Sequence, residues 1–218
     1  MKKVLWIIGL LAAALAAANG RAQPFVGLNA SYASITADGF SDGTHWGPDL
    51  EAGYRFGTAI THAIKVSYQT YRWNSVTELQ LPPMPDGPYY LRSNLDFHFE
   101  VLQLAYELNW PLAGGTVQAF FSPGAGAVRI KGEGISHYVG GLLPGTSWDI
   151  FSNVGSSWRF ALQGTAGLRW QVAKAWNVCV GYGYLYRKAE LLTPYPPDPG
   201  ADRHTEVSRW LIGVSYRR

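Results

Sequence analysis

The sequence predicts an all-β protein: eight antiparallel strands in up-and-down order, closed into a barrel that crosses a membrane. Three observations predict it. Apolar residues alternate with polar or small ones at a period of two from one end of the chain to the other. The connections between alternating segments are short and long in strict turn. The apolar face of many segments begins or ends in an aromatic residue, as strands do when they run between two membrane interfaces.

The chain opens with MKKVLWIIGLLAAALAAANGRAQ: Lys2 and Lys3, an apolar run from Val4 to about Ala18, and small residues around Gly20-Arg21-Ala22. That is the order of a secretory signal with its cleavage site, so residues 1–22 are expected to be removed and 23–218 to form the barrel. The signal holds Lys2, Lys3 and Arg21 and no acid, so 18 basic residues become 15 against 15 acidic ones. A near-neutral mature chain argues against a nucleic-acid partner. One cysteine, Cys179, cannot form an internal disulfide, and its place on an inward face reads as a buried structural thiol.

The first strand runs from about Phe25 to Thr36, with Val26, Leu28, Ala30 and Tyr32 on one face. DLEAGYRFG, the second, sets Leu50, Ala52, Tyr54 and Phe56 against Glu51, Gly53 and Arg55. HAIKVSYQTYRW, the third, sets Ile64, Val66 and Tyr68 against Lys65, Ser67 and Gln69. The fourth, about Leu91 to Trp110, changes phase: Leu102 to Trp110 use even positions, whereas Leu95, Phe97 and Phe99 are odd. A bulge near Glu100 and Val101 would bring both sets to one side. TVQAFFSPGAGAVRI, the fifth, is interrupted by Pro123. SWRFALQGTAGLRWQV, WNVCVGYGYLYRK and EVSRWLIGVSYRR supply the last three. Short links, TAIT, PLAGG and AKA, alternate with long loops at about Ala37–Pro48, Asn74–Tyr90, Lys131–Ser157 and Ala189–Asp202.

The faces opposite the apolar ones are mostly Gly, Ala, Ser, Asn and Gln, which suits a crowded barrel interior rather than a surface in water. The aromatic ends, Tyr54, Phe56, Trp110, Trp170, Tyr186 and Tyr216, place the apolar face in lipid. Backbone groups in lipid must all be paired, so the eight strands are expected to close. A secreted ligand-binding barrel would instead turn its apolar face inward.

With these segments in view, LEAGYRF, FFSPGAGAV, NVCVGYGYLY and the final WLIGVSY resemble strands of the small bacterial outer-membrane β-barrel superfamily, of the OmpA, OmpX and opacity-protein type. The resemblance spans the mature chain and implies a bacterial outer-membrane location. The chain ends with the barrel, so the peptidoglycan-binding domain of OmpA-type proteins is not expected. Members of this fold serve as scaffolds, adhesins, narrow channels or lipid-modifying enzymes.

Glu51, Arg55, Lys65, Glu107, Arg159, Arg169, Arg187 and Arg209 fall on predicted inward faces and are expected to pair as an interior plug. A narrow channel for small solutes is the alternative. Asp96, His98 and Glu100 share one face of the fourth strand, a spacing that can orient an imidazole or contribute metal ligands. No serine shares that face, and neither the His-Ser pair of lipid A deacylases nor the paired aspartates of outer-membrane proteases is present. The expectation is therefore a non-enzymatic envelope protein without cofactor, a lipid- or peptide-hydrolysing barrel being the other alternative. Its expected partners are outer-membrane lipids, the barrel-assembly machinery and a surface ligand held by the four long loops; a monomer is expected. Trp210, Ile212, Val214 and Tyr216 form the lipid face of the closing strand and match the alternating signal read by that machinery, with Arg218 where Phe is usual.

Overall fold

The structure, a computed structural model, describes residues 22–37, 43–80, 90–112, 114–139, 147–155, 158–188 and 204–217. Residues 1–21 of the expected signal, the whole of the expected loop Ala189–Asp202, and Arg218 lie outside them. The described strands are β1 (Gln23–Ala37), β2 (Gly43–Phe56), β3 (Thr61–Gln80), β4 (Tyr90–Pro111), β5 (Val117–Val139), β6 (Ser147–Gly155), β7 (Arg159–Gln171), β8 (Trp176–Lys188) and β9 (His204–Arg217). Sequence neighbours pair antiparallel from β1 to β5; β5 then pairs with β7, β7 with β8, β8 with β9, and β9 with β1. These eight strands close a ring, so the membrane-spanning sheet offers lipid no unpaired edge. β6 stands outside the ring, paired with β5 over Lys131–Val139, beyond the point where β5 leaves β7 at Val128.

Register fixes the shape. A walk across paired residues, from Arg217 through Phe25, Gly53, Lys65, Ala105, Gly124, Gln163 and Leu185, returns to β9 at Val207, ten residues from its start. Eight strands with that stagger tilt by about 40° from the barrel axis. Two of the turns at one end contain glycines with positive φ, Gly57 in the β2–β3 turn and Gly114 and Gly115 in the β4–β5 turn, a conformation that costs glycine least.

Outward side chains form an apolar belt that includes Leu28, Leu50, Leu104, Leu162 and Ile212, all more than 40% exposed. Aromatic pairs stand at its rims. Tyr32 meets Trp46 with centroids 5.0 Å apart and Tyr182 meets Trp210 at 5.1 Å on one rim, while Trp176 meets Tyr216 at 5.1 Å on the other. Water would make such a surface an aggregation hazard, and lipid is the solvent that suits it.

Two expectations are corrected. The fourth strand carries no bulge at Glu100 and Val101: β3 and β4 keep one register from Thr61 opposite Asn109 to Gln80 opposite Tyr90. Phe97 and Phe99 therefore point inward, where they pack with Tyr71, Val101, Val128, Ile130 and Leu185 in an apolar cluster. The phase change marks a change of interior, polar near the short turns and apolar farther along. Three of the four expected long loops also hold strand residues: 43–48 in β2, 74–80 in β3, and 131–139 and 147–155 in β5 and β6. β3, β4 and β5 run for 20, 22 and 23 residues, and β6 lies inside the segment Lys131–Ser157. About ten tilted residues cross a bilayer, so these strands carry the sheet well past the belt. Beyond lipid the outward face meets water instead of hydrocarbon, so the outward apolar stripe that marks a membrane strand in sequence is lost.

Candidate functional site

The polar half of the interior is organised around Glu107, which is fully buried. Lys65 Nζ donates to Glu107 Oε2 at 2.8 Å and to Glu51 Oε2 at 3.0 Å. Arg169 Nη1 donates to Glu107 Oε1 at 2.5 Å and also to Asn109 Oδ1. Arg55 Nη2 lies 3.8 Å from Glu107 Oε1, with its guanidinium over the Phe25 ring at 5.0 Å. Alternation on β2, β3, β4 and β7 directs these side chains to the axis, and the stagger brings them to one level. A second pair lies alongside: Arg209 Nη1 reaches Asp49 Oδ2 at 3.2 Å and Tyr71 Oη at 3.4 Å. A carboxylate removed from water is retained here because several cations hydrogen-bond it.

The structure thus brings together Glu51, Arg55, Lys65, Glu107 and Arg169, and places Arg209 on a different acid. Arg187 is buried near the end of β8, with no ion-pair partner among the described residues. Arg159 departs from the expected interior position: it is the first residue of β7, at the mouth of the barrel, and is exposed. Asp49 and Asn109 belong to the network but were absent from the sequence expectation. Asp49 shares the phase of Glu51 and Arg55, so extending the alternation by one step would have found it. Cys179 is buried and its Sγ lies 3.6 Å from Asn29 Oδ1. The space left among Asn29, Glu51, Gln103, Thr165 and Arg209 is about 20 Å³, room for about one water.

Asp96, His98 and Glu100 share the outward face of β4, beyond the apolar belt. Cross-strand neighbours engage the acids. Glu100 accepts from Tyr68 Oη at 3.1 Å and from Arg129 Nε at 2.6 Å, and the Arg129 guanidinium lies 4.8 Å above the Trp158 ring. Burial alone would raise the Glu100 carboxyl, but the hydrogen bonds from Arg129 and Tyr68, with the charges of Arg129 and Lys131, hold it below the ordinary value. Asp96 accepts from Asn74 Nδ2 at 2.8 Å. Among the described residues no hydrogen bond joins His98 to either carboxylate, so the His-carboxylate geometry of a general base is not assembled. No cluster of three or more His, Cys, Asp or Glu able to hold a metal occurs among the described residues.

On β9, Trp210, Ile212, Val214 and Tyr216 are all exposed on the lipid face, and their backbones pair with Tyr32, Ala30, Leu28 and Val26 of β1. The closing seam therefore presents alternate apolar side chains from Trp210 to Tyr216, and gives way to Ser208 and Glu206 beyond them.

Residues 4–217 match the family described as the outer membrane protein beta-barrel domain. No curated protein sequence matches the chain. Among solved structures, Neisserial surface protein A superposes with a TM-score of 0.57 at 14% identity, over 90% of this chain and 98% of that one. Ail, the attachment invasion locus protein of Yersinia pestis, crystallised with the heparin analogue sucrose octasulfate, gives 0.48 at 16% identity over 91% and 99%. Outer membrane protein H of P. aeruginosa gives 0.42 at 16% identity over 90% and 99%.

Proposed function

The chain belongs to the outer membrane protein beta-barrel family and resides in the bacterial outer membrane, and from that premise we propose that it is a closed, non-conducting, non-enzymatic envelope protein that presents a recognition sheet at the cell surface. The doubly stoppered interior carries this reading. The Glu107 cluster fills the half near the short turns, and the apolar layer around Phe97, Phe99 and Tyr71 fills the half beyond it. An ion would have to pass both a fixed charge cluster and a dry constriction. The recognition part is supported by β3, β4, β5 and β6, which extend past the belt as one paired sheet on the side opposite the short turns. The protein acts as a monomer whose partners are outer-membrane lipids, the assembly machinery that reads β9, and a surface ligand held by this extension.

Planar-bilayer recording of the refolded protein tests the closed state. We expect no steady conductance, and large stable channels would overturn the reading. Cells displaying the barrel with residues 132–154 replaced by a short turn should lose attachment to heparin-coated and extracellular-matrix-coated surfaces while retaining the folded barrel. Attachment undiminished by that change would remove the recognition role from the extension.

A further inference from the structure

Three outward rows cross β3, β4 and β5 immediately past the apolar belt. The first, Thr70, Glu100 and Arg129, is internally paired through Glu100 and Arg129. The second is Arg72, His98 and Lys131, which are register partners across the three strands. The third is Asn74, Asp96 and Glu133, likewise in register. Neither Arg72 nor Lys131 has an ion-pair partner among the described residues, and both are exposed. Arg72, Asn74, Asp96, His98, Lys131 and Glu133 line one open groove of about 580 Å³.

Charge in this groove is ordered along the strand. The inner of its two rows, one row out from Thr70, Glu100 and Arg129, holds two permanent cations; two residues farther out, about 7 Å along the strand, is a row with two carboxylates. Asp96 lies opposite Glu133 on the neighbouring strand, and like charges so placed repel and favour a cation between them, whereas Arg72 and Lys131 flank His98 from the strands on either side and favour an anion over that row. A ligand matching the pattern carries a phosphate next to the acyl region and a primary ammonium beyond it. We propose that this groove binds a lipid-borne phosphoethanolamine headgroup, with the phosphate on Arg72 and Lys131 and the ammonium on Asp96 and Glu133. The apolar belt lies one row below the groove, past Thr70, Glu100 and Arg129, whose charges are already paired, so the ligand is a lipid whose acyl chains run down the outward faces beyond that row. A choline headgroup lacks the N–H donors that the carboxylates accept, and a glycerol headgroup lacks the cation.

Native mass spectrometry of the full chain released from nanodiscs of phosphatidylethanolamine, phosphatidylcholine and phosphatidylglycerol in equal parts tests this. Wild type should retain phosphatidylethanolamine about fivefold over both others. Arg72→Gln with Lys131→Gln should reduce retention of the ethanolamine and glycerol lipids together. Asp96→Asn with Glu133→Gln should abolish the preference for ethanolamine over glycerol while glycerol lipid is still retained. All four side chains are exposed, so heat-modifiable gel mobility should remain that of the folded barrel. Equal retention of the three lipids by wild type, or a preference unchanged in either double variant, would overturn the proposal. Soluble O-phosphoethanolamine binding as tightly as the lipid would overturn the assignment to a membrane lipid.

Discussion

Glu107 is fully buried among Lys65, Arg169 and Arg55, so the cost of losing its charge is set by what remains. Glu107→Gln leaves those cations without their central acceptor in a low-dielectric interior and should destabilise the barrel by about 3–5 kcal/mol. Urea unfolding of the protein in lipid vesicles measures this, and pairing the change with Lys65→Met should recover part of the loss because the two residues are coupled. Gly213 makes a steric version of the same point: a Cβ there would collide with the Asn29 side chain inside the barrel. Gly213→Val should reduce the fraction reaching the heat-modifiable folded form. Glu100, outside lipid, is governed by pH. Its carboxyl is held below the ordinary value in the folded state, so its contribution is full above the unfolded value and is lost as pH falls through the lowered one. The stability difference between wild type and Glu100→Gln should therefore shrink as pH drops below about 4.

At the scale of elements, β4 shows what alternation can and cannot reveal. Leu102 to Trp110 were legible as a lipid-facing stripe because one side meets hydrocarbon and the other a polar interior. Phe97 and Phe99 broke the phase, and a bulge accounted for them equally well in sequence. Only pairing with β3 and β5 shows that the register never slips and that the interior itself becomes apolar. Phe99 is fully buried, and Phe99→Ala should cost about 3–5 kcal/mol by leaving a cavity in the layer with Tyr71. A bulge would have put Phe99 in lipid, where the same change costs far less. β9 was legible for the opposite reason: from Trp210 to Tyr216 its outward face meets lipid and keeps one parity without a change of phase. Should the terminal position matter for assembly, Arg218→Phe will raise the assembled fraction in a laboratory host, read as the heat-modifiable band.

For the whole molecule, the two stoppers act in series, so removing one leaves the other. Glu107→Ser with Arg169→Ser, or Phe97→Ser with Phe99→Ser, should stay silent in planar bilayers, whereas the four changes together should conduct. Conductance from either pair alone would show that one layer does all the sealing. The sequence by itself determined that the chain is β throughout, that its apolar face meets lipid and that its strands number enough to close, because a period of two and aromatic ends are imposed strand by strand by the membrane. It also named most of the inward charges, since facing is a local property of parity. Which charges meet was decided only by the tertiary structure: a stagger of ten around eight strands brings Lys65, Glu107 and Arg169 to one level while leaving Arg159 at the mouth. The same holds for the groove of Arg72, His98 and Lys131, whose members come from three strands. Neither result is local, because each depends on register summed across the ring, and a single strand carries no record of it.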